Sequence, residues 1–316
     1  MYHNAVPLAS EDQMLNRARI LACVMGLSIF LATAVYGENY IRYLVGDLLA
    51  IGYPISKEDV IALDNIGMRF DIPNRLDVLK KILSDRDKIH NIQSASYFTK
   101  TEAICNALRL LDEHSLPEAD ELVATLSHQQ GWEKREKVLL SYMAAKRHID
   151  YQLNLTYLLS ALAEYRGNEE MNSKIEITTE ILDLCNCLSY LADIFSHTGD
   201  AQILNTLIDY AAQSYGYPGE YASRLLVDMF LQQPDVFIPV LAKKNDQTRK
   251  TIIDAMVFGI WNNQQKTNVL NAIKKLNLTN EQERSTISVL ENEINLKFAT
   301  TSPKDKDSNS DQNSNK

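Results

Sequence analysis

Glycine and proline are scarce in this sequence, eleven and eight among 316 residues. So few chain breakers argue against a fold of many tight turns and favour helices. Cysteine is scarcer still, only Cys23, Cys105, Cys185 and Cys187. Three remain if a leader is removed, and an odd number does not make a disulfide framework. Cys185 and Cys187 stand two apart on an expected helix and point to different sides, which suits neither a mutual disulfide nor a chelate. They read as buried, inert thiols, with a bridge from Cys105 to one of the pair as the alternative. Basic excess is missing too. Lys and Arg number 32 against 41 Asp and Glu, a net charge of −9, so the phosphate backbone of a nucleic acid is not an expected partner.

Reactive patterns are also absent. The sequence contains no HExxH, no G-x-S-x-G, no phosphate-cradling G-x-x-x-x-G-K, no S-x-x-K and no strand run that would build a dinucleotide-binding unit. No cofactor and no metal site are expected. The histidines, His3, His90, His114, His128, His148 and His197, are dispersed. The best acid–base pair is Asp193 with His197, four residues apart and therefore on one helical face. An imidazole in the last helical turn, held by the helix dipole, explains the pair equally well.

What the sequence does have begins at Met14. From there to Glu38 it reads MLNRARILACVMGLSIFLATAVYGE, with Arg17 and Arg19 ahead of an uncharged, mostly apolar run from Ile20 to Tyr36. Ala32, Ala34 and Gly37 offer small-residue cleavage sites. This is the pattern of a signal peptide. The run also lies at the lower limit of the ~17–25 residues that span a bilayer, so an uncleaved anchor is the alternative, with membrane contact through Ile20 to Tyr36. Either way the positive flank stays inside and the rest is exported to a periplasm or lumen. Glu11 and Asp12 precede the arginines, which is untypical, and a start at Met14 would give a compact basic head.

The body then alternates helical patterns with short punctuation. Residues 38–52 carry Ile41, Leu44, Val45, Leu48 and Leu49 at three- and four-residue spacing with Asp47 off the stripe. Ser56 and Asp59 form an acidic version of a capping box. Further helices follow over Asn74–Leu83, from Thr99 or Thr101 to about His114, and from Pro117. Trp132 to Arg166 is the longest pattern, one helix or two with an unmarked bend, with Leu153 on its apolar stripe and Gly167 as its natural end. Glu169 to His197, including Leu182, is closed by Gly199. From Asp200, helix pairs recur at a spacing of ~35 residues, near the period of stacked HEAT or tetratricopeptide pairs. Asp200 and Asp246 are the expected caps there, but no signature residues repeat. The fold expectation is therefore all-α: a solenoid-like array of antiparallel helix pairs after an N-terminal hydrophobic helix. The expected divisions are residues 1–37 as signal peptide or anchor, 38–166 as an N-terminal helical region, 167–300 as a repeat-like region and 301–316 as a disordered polar tail.

Two surface features are the candidates for partner binding. Tyr215, Tyr217 and Tyr221 stand among Gly216, Pro218 and Gly219, and tyrosines on a short rigid loop offer wide apolar faces at small entropic cost. The competing reading is that they cover an inter-helix core. The second feature is charge segregation. Residues 168–236 carry a net −9 and residues 243–275 a net +5, the latter including Lys243, Lys244, Arg249 and Lys250. Such a dipole orients partners or stacks copies head to tail, although ordinary solvated helix faces account for it equally. Asn154 and Asn277 each open an N-x-T glycan acceptor. These features favour an exported, non-catalytic helical scaffold or adaptor for protein partners, in an envelope or secretion assembly. The alternatives are an exported helical enzyme or ligand-binding domain, and a delivered protein whose tail is an export signal.

Overall fold

The computed structural model describes residues 37–64, 74–89, 100–113, 117–169, 179–214 and 216–300. The hydrophobic stretch Ile20–Tyr36, Cys23, Tyr215 and the tail 301–316 lie outside them. Among the described residues there are fourteen α-helices, one short 3-10 turn and no strand. The chain divides into two compact units, Met1–Leu122 and Val123–Lys316.

The first unit contains α1 (Gly37–Ala50), α2 (Lys57–Asp64), α3 (Arg75–Ser84) and α4 (Lys100–Asp112), with α5 (Pro117–Ser127) running across the division. Local chemistry sets their starts. Ser56 and Asp59 exchange side-chain-to-backbone hydrogen bonds of 3.0 and 3.2 Å at the head of α2, and the Asn74 side chain accepts the Leu76 N–H at the head of α3. Gly52, at φ 71°, ends α1. The core joins Ile41, Leu44 and Leu48 of α1 to Ile104, Leu108 and Leu111 of α4. One expectation fails here. Asp47 is not on a solvated face; it is 2% exposed and accepts a 2.8 Å hydrogen bond from Asn106 Nδ2 on α4. The stripe of α1 is rotated so that Leu49 points outward.

The second unit holds α6 (Lys134–Lys146), α7 (Tyr151–Glu169), α8 (Thr179–Thr198), α9 (Ala201–Ala211), α10 (Gly216–Gln232), α11 (Pro234–Ala242), α12 (Asp246–Gly259), α13 (Asn263–Lys275) and α14 (Glu281–Thr300). The long pattern beginning at Trp132 is two helices. His148 N–H bonds Ala145 O at 3.0 Å and Ile149 N–H bonds Ala144 O at 2.8 Å. This is a Schellman closure with His148, at φ 59°, in the position that glycine usually takes. Asn154 Nδ2 reaches back to Ile149 O at 2.9 Å and fixes the joint. Gly167, expected to end α7, lies inside it, and the helix runs on to Glu169.

Other ends shift as well. The cap of α12 is Asn245, whose side chain accepts the Thr248 N–H, and Asp246 is the first helical residue. The tyrosine segment is not a loop over its described part: Tyr217, Pro218, Gly219 and Tyr221 belong to the first turns of α10. Leu153 and Leu182, placed on apolar stripes by spacing, are 68% and 47% exposed.

Packing in this unit follows a simple rule. α6 packs on α8, α8 on α10, α10 on α12 and α12 on α14; α7 and α9 also pack on both of their sequence neighbours, and α11 packs on α9, α10 and α14. Phe195, Phe230 and Phe237 are its largest fully buried side chains, and Phe230 meets Phe237 edge-on at 5.7 Å between α10 and α11. Among the described residues no single helix is long and apolar enough to cross a membrane.

Candidate functional site

The last turn of α12 approaches α10 more closely than any side chain would permit. A Cβ on Gly259 would lie 2.5 Å from the Ser223 carbonyl oxygen. That approach carries the chain directly into Trp261, whose ring lies 3.7 Å from the guanidinium carbon of Arg224, the residue after Ser223. Trp261 is 56% exposed and Phe258, in the same turn of α12, is 53% exposed. The Arg224–Trp261 stack is a cation–π contact, worth ~0.5–1 kcal/mol at an exposed position. Among the described residues Arg224 makes no hydrogen bond or ion pair, so its guanidinium is oriented but its donors are unused.

Two neighbouring elements complete this corner. Lys297 of α14 inserts beneath α12 and donates to three carbonyls, Val257 O at 2.6 Å, Ile260 O at 2.7 Å and Phe258 O at 3.2 Å. It therefore satisfies the otherwise orphaned acceptors of a helix end, and burial pushes its pKa down. Lys266 of α13 lies over the Phe298 ring at 5.1 Å, again with no carboxylate partner among the described residues.

The tyrosines extend the corner along α10. Tyr217, Tyr221 and Arg224 are spaced by four and three residues, which places them on one helical stripe. The two rings stack with centroids 6.4 Å apart. Tyr221 is half-buried and shares a short hydrogen bond with Ser189 of α8, so it is partly structural, whereas Tyr217 is 45% exposed. The described tyrosine candidates thus split, and only Tyr217 presents a largely open face.

The basic candidates are mostly engaged at home. Lys244 pairs with Asp209 at 2.6 Å and Lys250 with Asp254 at 2.8 Å. Arg249 pairs with Asp246 and donates to Ala242 O and Lys244 O, closing α11. Lys243 is exposed. The acidic stretch is similarly reduced, because Asp183 binds Arg135 at 2.9 Å and Asp193 binds Lys146 at 3.3 Å. A charge count along the chain could not detect these cross-helix partners.

Asp193 is also turned away from acid–base work with His197. It accepts the Tyr142 hydroxyl at 2.8 Å, in a cluster where Tyr142 stacks on Tyr190 at 4.4 Å. His197 Nδ1 lies 3.8 Å from its carboxylate, against 2.8 Å from the Asp193 backbone oxygen. Cys105, Cys185 and Cys187 are buried thiols in no disulfide among the described residues, and burial pushes the Cys187 thiol up to about 12, which disfavours its reactive thiolate. Asn154 is 4% exposed and spent on its hydrogen bond to Ile149 O, so it is no glycan acceptor. Asn277 is exposed. A groove of about 450 Å3 between α7 and α9 is lined by Leu159, Leu162, Arg166, Asp209 and Tyr210. Among the described residues no cluster of His, Cys, Asp and Glu could hold a metal ion.

Sequence reasoning passed over the Arg224–Trp261 corner. The available signal was the segment FGIWNN between two helices, where a tryptophan beside a glycine in a short connection has little core to enter. Its partner Arg224 is 37 residues away and only packing supplies it. The chain matches no protein-family model and no curated protein.

Proposed function

We propose that this protein is an exported, non-catalytic helical scaffold that binds other proteins, a component of an envelope or secretion assembly. The observation that carries the reading is the open aromatic stripe from Tyr217 to Trp261, with an oriented and unpaired Arg224 between them. Trp, Tyr and Arg are the side chains that dominate binding energy at protein interfaces. Export rests on the basic head and apolar run of residues 14–38. The succession of contacts between helices two apart, from α6 to α14, supports a solenoid-like stacking of helix pairs, an architecture that characteristically displays extended binding surfaces.

The test combines fractionation of native cells, N-terminal sequencing of the mature chain, and photo-crosslinkers placed at positions 217 and 261. The expected result is a chain outside the cytoplasm, beginning near Glu38 or retained in the membrane, that crosslinks to a defined protein from both positions. A full-length chain in the cytoplasm would overturn export. Turnover of a substrate, lost on changing one polar residue, would overturn the non-catalytic reading.

A further inference from the structure

Resting on that scaffold reading, we infer that the stripe of Tyr217, Arg224 and Trp261 docks a peptide segment of a partner protein in which a carboxylate is flanked by apolar side chains.

The carboxylate follows from Arg224. Its guanidinium carbon lies 3.7 Å from the centroid of the Trp261 ring, a contact that engages the face of the group and leaves its N–H donors available. Those groups match a carboxylate in bidentate geometry, and a lysine in the same place would not reproduce it. Among the described residues no acceptor uses them. Glu220 and Asp228 lie one helical turn to either side of Arg224 on α10 and neither pairs with it, while Asp209, Asp246 and Asp254 bind Lys244, Arg249 and Lys250. Lys266, unpaired in the same way, adds a second positive group at this end of the molecule.

The apolar flanks follow from the exposed rings. Tyr217, Phe258 and Trp261 are each about half exposed, and rigid aromatic faces beside an oriented charge are the anchors that peptide recognition uses. Tyr217 and Arg224 lie seven residues apart on α10, a span of ~10 Å along the helix, which suits three or four residues of extended chain.

Charge decides among the anionic partners. Arg224 and Lys266 offer donors to a single carboxylate, and Glu220 and Asp228, one helical turn from Arg224, disfavour more than one. The whole chain carries −9, and an extended polyanion or an anionic bilayer meets that repulsion over its full contact.

A random peptide display library selected on the purified full-length chain tests this directly. The expected outcome is enrichment of Asp or Glu next to Phe, Leu or Trp. The best peptide, made synthetically, should lose at least tenfold in affinity when its acid is changed to the amide. The same loss is expected with Arg224→Gln or Trp261→Ala, and Arg224→Lys should recover only part of it. Arg224 is exposed, so Arg224→Gln should leave the circular dichroism unchanged and a loss would not be misfolding. Peptides without carboxylates, or binding indifferent to Arg224→Gln, would overturn the inference. So would Arg224-dependent binding to phosphatidylglycerol vesicles or single-stranded DNA without peptide binding, or Arg224-dependent self-association in sedimentation. If positions 217 and 261 crosslink to a protein but Arg224→Gln leaves that product intact, the scaffold reading stands and this inference fails.

Discussion

Gly259 and Ser223 meet where no other residue than glycine could sit, with the Ser223 carbonyl oxygen occupying the place a Cβ would need. The contact is between backbones, so neither side can rotate away. It sets the distance between α10 and α12 and, one residue along from Ser223 and two from Gly259, brings Arg224 under Trp261.

Gly259→Ala should therefore destabilise the second unit by about 1–3 kcal/mol, the usual cost of forcing atoms into a filled contact. It should also separate Arg224 from Trp261. Thermal denaturation measures the first effect. Trp261 emission, read with Trp132→Phe to remove the other tryptophan, measures the second. A variant that melts at the unaltered temperature would show that the two helices are not held at this distance.

Lys297→Met retains most of the apolar stem but removes the donors to three carbonyls at the end of α12. The expected cost is about 1 kcal/mol, because the acceptors are partly exposed and water replaces some of the lost donors. Lys297→Arg should restore part of it. Equal stability of Met and wild type would mean that water closes the helix end instead.

Asp47 gives the first unit a pH dependence of predictable sign. Burial, opposed by the Asn106 hydrogen bond and aided by the nearby Glu102 charge, raises its pKa from 3.8 to about 6. In the folded state it holds its proton more tightly than in the unfolded chain. Its contribution is therefore most favourable below pH ~4 and is lost as pH rises toward 6, a change of order 2–3 kcal/mol. Asp47→Asn should flatten that part of the stability–pH curve and raise stability at pH 7. Denaturant titrations between pH 4 and pH 7 check both, and a wild-type curve rising across this interval with the same slope in the Asn variant would contradict the assignment.

The joint between α6 and α7 makes two opposite predictions. Asn154→Ala removes the hydrogen bond to Ile149 O and should cost about 1–2 kcal/mol. His148→Gly, at φ 59°, replaces a side chain in the left-handed region with the residue that suits it, and should be neutral or stabilising by up to ~1 kcal/mol. Melting temperatures that move in the same direction for both would refute this account of the joint.

Helix positions were largely legible, because burial of one face imposes a three-to-four-residue period and caps such as Ser56, Asn74 and Asp200 satisfy the first N–H groups locally. The break at His148 was not, since its Schellman bonds are made by backbone groups that any sequence possesses. Asp47 was misplaced for a related reason. Its partner Asn106 lies 59 residues away, so nothing near it in sequence signals that a carboxylate can be buried there.

The sequence by itself determined the all-helical class and most helix starts, since these depend on residue types and on spacings within one or two turns. Tertiary structure alone decided which charges are spent and which remain. Lys244, Arg249 and Lys250 found carboxylates and Arg224 found an aromatic face. The physical reason is range: capping and amphipathic periodicity act over a few residues, whereas an ion pair or a stack forms between whichever groups packing brings within ~4 Å, however far apart they lie along the chain.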